Sequence, residues 1–291
     1  LLSALQNAPN IDIMNRARLT GLHRSSDHVE LELDTDGAST SISASLVAAA
    51  DGQRSLVRNA VGIQSDVNAC DQVAFVANLA TSLPHRHVAY ERFTQTGPLA
   101  MLPLTQGRVA MVWMVAPRQA PELLAMDEWA FAAHLNKTFG GRLGKIEKVG
   151  QRASYPLALT RSRQRVAPRV ALIGNAAQSL HPVAGQGLNL GLRDIAALAE
   201  VLVGAARAGQ DLGSEAVLRE YDQWRVSDAR KVVMMTDTLA RVFANPFGPV
   251  SVLRNLGLIA LDVLPPIKDR LARRTMGLAG PLPRLARGLA L

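Results

Sequence analysis

The run Ala171-Leu-Ile-Gly-Asn-Ala-Ala-Gln-Ser-Leu-His-Pro-Val-Ala-Gly-Gln-Gly-Leu-Asn-Leu-Gly-Leu-Arg-Asp194 constrains the fold more than any other part of this chain. Val170 to Ile173 is a short aliphatic stretch that stops at Gly174, as a buried parallel strand stops at the carboxyl edge where open α/β sheets bind ligands. Gly185 and Gly187 let the backbone approach a flat ring closely, because no Cβ intervenes. Beyond them Leu188, Leu192, Ile195, Ala196, Ala199 and Leu202 recur at helical period. The glycine loop therefore lies at a helix amino end, whose first N–H groups have no intrahelical acceptor and suit an electron-rich or anionic group.

A second segment, Ala48-Ala-Ala-Asp-Gly-Gln-Arg-Ser-Leu-Val-Arg58, completes a pattern. Together the two blocks resemble the aromatic hydroxylase flavoproteins of the p-hydroxybenzoate hydroxylase type: the later block is similar to their second flavin-binding motif, the earlier one to their Asp-Gly motif. Where most of that family has Gly-Asp and Ala-His, this chain has Gly174-Asn175 and Ala177-Gln178. That variant, with Phe93-Thr-Gln-Thr-Gly-Pro-Leu-Ala-Met-Leu-Pro103 and the tail Leu264-Pro-Pro-Ile-Lys268 and Met276-Gly-Leu278, resembles the ubiquinone-biosynthesis branch over nearly the whole chain. Asn175 still donates or accepts a hydrogen bond where the family's carboxylate reaches a ribityl hydroxyl.

The resemblance implies an α/β (α+β mixed) fold: a Rossmann-like FAD/NAD(P)-binding domain, an inserted β-sheet substrate domain and a carboxyl-terminal helical region. It implies FAD as cofactor, NAD(P)H as reductant, O2 as oxidant and a polyprenylated phenol, 2-octaprenyl-6-methoxyphenol, as substrate. Toward the cofactor it places Asp51, Gly52, Arg58, Gly174, Asn175, Gly185, Gly187, Leu188 and Asn189. Pro182 and Val183 would wall the reacting edge, and His181 is either an acid–base group or a structural hydrogen-bonder. Thr94, Gly97, Pro98 and Leu99 are the candidates for the substrate side. Arg54 and Arg58 either hold a pyrophosphate or face solvent, and Arg193-Asp194 caps and anchors the helix.

The family's opening Gly-x-Gly-x-x-Gly turn does not occur before Asp51, and the chain starts Leu1-Leu-Ser-Ala-Leu. The expectation is a chain lacking its amino-terminal βαβ unit, which alone binds FAD weakly or not at all. Gly185-Gln-Gly-Leu-Asn-Leu-Gly191 is a decoy for that fingerprint, since its second gap is one residue too long. An alternative of another class is a non-catalytic lipid-binding or scaffold subunit that keeps the fold.

Composition narrows the remaining classes. With 48% hydrophobic and 19% charged residues the chain is globular. One cysteine, Cys70, rules out an internal disulfide and offers no metal-ligand cluster. The net charge of +8 comes with only 4% aromatics, so no stacking platform accompanies it and nucleic acid is not expected. Lys268, Arg270, Arg273, Arg274, Arg284 and Arg287 place much of that charge late, where it meets either an anionic membrane surface, at about 1 kcal/mol per basic residue, or solvent on a packing helix. The expected location is cytoplasmic, and the first option adds peripheral contact with the inner face of the cytoplasmic membrane and with other ubiquinone-biosynthesis proteins. No apolar run reaches the ~18 residues of a membrane span. There is neither a Gly-x-Ser-x-Gly elbow nor a Walker loop.

The layout follows from periodicity. Strands are expected at Ile11 to Leu19, Val29 to Leu33, Ser39 to Ile42 and Leu46 to Ala50, with a hairpin turn at Asp34-Thr-Asp-Gly37. Val73 to Leu79, Val88 to Phe93, Leu99 to Pro103 and Val109 to Val115 form a β-rich middle, with a helix at Trp129 to Phe139. His85-Arg-His87 is expected to face solvent. Val217 to Leu239 reads as a long amphipathic helix, broken from the next by Asn245-Pro-Phe-Gly-Pro249. The domains are then 1–66 (partial FAD-binding domain), 67–163 (substrate domain), 164–208 (second flavin motif) and 209–291 (helical).

Overall fold

The computed structural model describes residues 2–179, 186–244, 247–275 and 282–291. After a short helix α1 (Leu2–Gln6) the chain forms an antiparallel meander, β1 (Ala17–Arg24), β2 (Val29–Thr35) and β3 (Ala38–Ala44). The hairpin turn sits where its residues demand: Asp36 and Gly37 have φ of 52° and 87°, and Gly37 N–H donates to Asp34 Oδ1 at 2.8 Å. The first strand starts later than its sequence suggests, because Arg16 takes a left-handed φ of 56° and Ile11, Ile13 and Met14 are exposed.

β4 (Val47–Ala49) leads through α2 (Leu56–Ala60) into β5 (Ser65–Thr81), the spine of a six-stranded sheet. Its other members are β6 (Tyr90–Thr94), β7 (Gly97–Pro103), β8 (Val109–Val115), β9 (Ile146–Val149) and β10 (Ala153–Ser162), in the order β10-β5-β8-β7-β6 with β9 paired to β5. Helices α3 (Gln119–Ala125) and α4 (Glu128–Phe139) cover one face. Asp127 starts α4 by accepting from Ala130 N–H at 2.7 Å, and Gly140 ends it at φ 90°. Phe131, Leu135 and Phe139 pack from this helix onto Phe75, Leu99, Met101 and Trp113, the largest core among the described residues.

That packing corrects one expectation. Leu99 is opposite Trp113, which is opposite Phe75, so all three point to the helix-covered face, and Leu99 has 0% exposure. Because side chains alternate along a strand, its neighbours Pro98 and Ala100 take the other face, where Ala100, Val112 and Val76 lie side by side in register. Leu99 is thus a core residue and leaves the substrate side to its neighbours. His85 is likewise buried rather than solvent-facing: its Nδ1 accepts from His87 N–H at 3.0 Å and its Nε2 lies 3.2 Å from the Leu104 carbonyl.

The third sheet is small and decisive: β11 (Val166–Ala167), β12 (Val170–Leu172) and β4, with β12 parallel to β4 in the register Val170–Val47, Ala171–Ala48, Leu172–Ala49. β12 is buried on both sides. Val170 and Leu172 meet Val57, Val61 and Ile63, whereas Ala171 meets α5 (Gln186–Arg207) and α6 (Glu215–Ala244) through Ala197, Val201 and Leu218. α7 (Gly248–Val263) and α8 (Pro265–Thr275) follow. Arg169, at φ 62°, staples these parts by donating to the carbonyls of Ser26 and Ser45 and pairing with Asp211.

Two substitutions test the core assignment. Phe131→Ala is expected to lower unfolding free energy by about 3–5 kcal/mol, read from the urea midpoint at unchanged slope. Leu99→Asp is expected to abolish folding, by circular dichroism, since it buries an unpaired charge; a folded Leu99→Asp protein would return Leu99 to an accessible face.

Candidate flavin site

Parallel pairing of β4 and β12 puts their carboxyl ends together, so Asp51-Gly52 and Gly174-Asn175 leave the sheet side by side. The chain turns sharply after β12: Ile173 N–H donates to the Ala49 carbonyl at 3.0 Å, Gly174 takes φ 57°, and Gly174–Ala176 forms one 3-10 turn. A left-handed φ is cheap only for glycine. Gly191 supplies the second requirement, because a Cβ on it would lie 3.4 Å from the Gly174 Cα, so α5 packs backbone to backbone against the turn.

One buried carboxylate fixes this geometry. Asp194 on α5, at 0% exposure, accepts from the Gly174 N–H at 2.9 Å through Oδ2 and from Arg225 Nε at 2.6 Å through Oδ1. Arg225, on α6, also donates to Asp228 at 2.6 Å, and Arg193 donates to both Asp228 oxygens at 3.1 Å. Tyr221, one helical turn before Arg225, donates its hydroxyl to the Leu172 carbonyl at 2.9 Å. Two helices therefore grip the last carbonyl of β12 and the second amide beyond it, that of Gly174. Burial pushes the Tyr221 hydroxyl far above its ordinary range, so it remains a donor. Burial also raises the Asp194 carboxyl, against the opposing pull of Arg225 and the Gly174 amide. Asp228 ends below the usual carboxylate range: burial alone would raise it, but the hydrogen bond and charge of Arg225, with Arg193, win.

The Asp-Gly segment grips the same turn from the other side. Asp51 Oδ2 accepts from Val57 N–H at 3.1 Å and Ser55 Oγ from Arg58 N–H at 2.9 Å, so both cap α2. Arg58 is buried and donates to the carbonyls of Ala176 at 2.9 Å and Gln53 at 2.8 Å. These bonds keep Arg58 out of solvent and make it the tie between the two motifs. Gln53 in turn donates to the Ala158 carbonyl at 2.8 Å. Gln178 is buried and accepts from Arg165 at 2.6 Å, so the residue standing in place of the family's histidine is part of the frame.

Among the described residues, several groups remain open to a ligand, the exposed Asp51 among them. Asn175 on the turn is exposed, as are Leu188 and Asn189 in the first turn of α5, where the backbone N–H groups lack intrahelical acceptors. Gly187 is half-buried beside them. A carboxamide, a row of amides at a helix amino end and a turn kept free of Cβ atoms fit the ribityl chain and polar ring edge of a flavin. Gly52, at φ 83°, makes the turn out of β4. His181, Pro182, Val183 and Gly185 lie outside the described residues. On the roof sheet, Thr94 pairs with Gly97 and donates to its carbonyl at 2.7 Å, closing the β6–β7 hairpin. A Cβ on Gly97 would meet the Met114 Cβ at 2.7 Å, so close strand packing demands that glycine.

Sequence reasoning missed Tyr221, Arg225 and Asp228. Their signal was present: polar residues at i, i+4 and i+7 continuing the buried stripe of Val217 and Leu218. Arg225→Met is expected to cost about 3–5 kcal/mol at neutral pH. The sign of the pH dependence follows from the carboxylates. In the native protein Asp228 contributes stability above its unfolded pKa and loses it as pH falls through its lowered folded value. Asp194, raised, favours its protonated form. Without Arg225 both carboxyls hold protons more tightly, so the deficit of the variant shrinks as pH falls; a deficit constant from neutral to acid pH in urea titrations would contradict the cluster.

Residues 1–236 match the family model described as "FAD binding domain". The chain is 40% identical, over its whole length, to a "Ubiquinone hydroxylase UbiL" of Rhodospirillum rubrum. It is 34% identical over 96% of its length to the "3-demethoxyubiquinol 3-hydroxylase" of Escherichia coli. The p-nitrophenol 4-monooxygenase PnpA of Pseudomonas putida has the same fold, with a TM-score of 0.72 at 22% identity over 88% of this chain. The chain spans 68% and 70% of the two relatives and 64% of the solved chain. Carrying both flavin motifs on this fold, the chain belongs to the family of FAD-dependent hydroxylases of ubiquinone biosynthesis.

Proposed function

We propose that the whole protein is a monooxygenase that uses NAD(P)H and O2 to hydroxylate a polyprenylated phenol, with 2-octaprenyl-6-methoxyphenol as the particular substrate. The observation that carries this reading is the convergence of the two motifs on one turn, held by Arg58 from one side and Asp194 from the other, with Asn175 and the α5 amino end left to meet a cofactor.

Bound FAD supplies the redox chemistry, accepting reducing equivalents from NAD(P)H and activating O2. The Asn175 carboxamide would hold a ribityl hydroxyl. The N–H groups of Leu188 and Asn189 would hold the pyrimidine edge, fixed dipoles that favour negative charge there without reorganising. The face of the roof sheet bearing Val76, Ala100 and Val112 is apolar and half-buried, which suits an alkylated ring and excludes water from it. Pro98, on that face beside Ala100, is the substrate-side residue retained, whereas Thr94, two residues from the Arg92 that pairs with Leu99, takes the helix-covered face with Leu99.

The test uses the protein with its flavin bound. Phenol-stimulated NAD(P)H oxidation is expected, with one oxygen added to 2-octaprenyl-6-methoxyphenol by mass spectrometry. Asn175→Ala is expected to weaken FAD binding roughly three- to tenfold, the worth of one neutral hydrogen bond, with the urea midpoint unchanged. Oxidation indifferent to every prenylated phenol offered would overturn the hydroxylase reading and favour the lipid-binding or scaffold alternative.

A further inference from the structure

The helices beyond α6 carry a surface that the flavin site does not use. In α7, Val252, Leu256, Ile259 and Val263 recur at i, i+4, i+7 and i+11 and are 59%, 57%, 60% and 68% exposed, with Leu253 beside them at 70%. The opposite face, with Val250, Arg254 and Leu261, is half-buried. So α7 packs by one face and displays its richer apolar stripe to the outside. At Val263 this stripe runs through Leu264, between the helices, into a second one, Ile267 and Leu271 of α8, also exposed. α8 is strongly basic: Lys268, Arg270, Arg273 and Arg274 against the single acid Asp269.

We propose that α7 and α8 form a membrane-docking element that lies in the headgroup boundary of an anionic bilayer, with the apolar stripes toward the acyl chains and the basic residues of α8 among the phosphates. Charge decides between occupants. A second copy of this chain would bring α8 onto an equally basic α8, and a net charge of +8 onto +8. An anionic lipid surface complements both features at once, and long basic side chains reach headgroups while their stems lie on apolar surface. Helix length and the bend between the helices argue for lying in the bilayer surface over crossing it. The helices have 16 and 11 residues, each short of the ~20 that a span requires, and their axes turn by 98° at the junction. Among the described residues no single helix is long and apolar enough to cross a membrane. The proposal does not depend on the reaction assigned above. It does give that reaction a route for an alkylated substrate, because α6 packs against α7 and also against β6 and β7 of the roof sheet.

Vesicle sedimentation of the 291-residue chain tests it, with vesicles of phosphatidylcholine alone and of phosphatidylcholine mixed with phosphatidylglycerol. The chain is expected to sediment with the mixed vesicles, to bind phosphatidylcholine about tenfold or more weakly, and to be released by added salt. Leu256→Asn with Ile259→Asn, and separately Arg270→Gln with Arg273→Gln, are each expected to cut binding about tenfold. All four positions are exposed, so circular dichroism should be unchanged; the salt dependence of the unsubstituted chain stands without the variants. Absence of binding, equal binding to both vesicle types, or variants that bind as the parent does would overturn the proposal. So would a dimer in size-exclusion chromatography that the Leu256/Ile259 variant dissociates, which would identify a second copy as the occupant.

Discussion

The Asp194 carboxylate, closed off from water, joins three elements by hydrogen bonds: the turn after β12 through the Gly174 amide, α5 through its own backbone, and α6 through Arg225. A buried carboxylate is costly unless its lone pairs are used, and both of its oxygens are used here. The cost of that burial is offset only in one arrangement of the turn and the two helices, so the cluster acts as a specification of geometry more than as a source of net stability. Tyr221 adds the Leu172 carbonyl to the same grip.

The parallel register of β4 and β12 does the rest. Three residue pairs suffice to set the Asp-Gly segment beside the glycine turn, and Arg58 then crosses between them to the Ala176 carbonyl. Of the residues most suggestive of direct cofactor contact in the sequence, Ser55 caps a helix, Arg58 donates to two backbone carbonyls, and Asp51, which is exposed, gives one carboxylate oxygen to a helix cap. Their part is to shape the cradle. Among the described residues, the groups left for a ligand include the Asn175 side chain, the exposed Asp51 carboxylate and backbone amides at the start of α5.

Much of this was legible in the sequence because it is local. Aliphatic β12 ending at glycine, the Asp34–Gly37 hairpin, the capped helix from Glu128 to Phe139 and the long helix after residue 214 are each encoded within a few residues of where they form. Three features were not legible, and each is a long-range fact. Leu99 stands in sequence beside the substrate-side candidates Gly97 and Pro98, but the face that a strand residue takes is fixed by its partner strand, and Trp113 puts Leu99 in the core. The role of Arg225 depends on a carboxylate 31 residues away on another helix. His85 is buried by a loop fold around the Leu104 carbonyl that no spacing announces.

The central claim, that the turn after β12 and the first turn of α5 together form the flavin cradle, is tested most directly by amide hydrogen exchange of the protein with and without FAD. Slowed exchange at Asn175 and in the first turn of α5, with the Gly174 amide already protected by Asp194 in both states, is the predicted result. Protection appearing elsewhere, with residues 175 and 187–189 exchanging as fast as before, would contradict it.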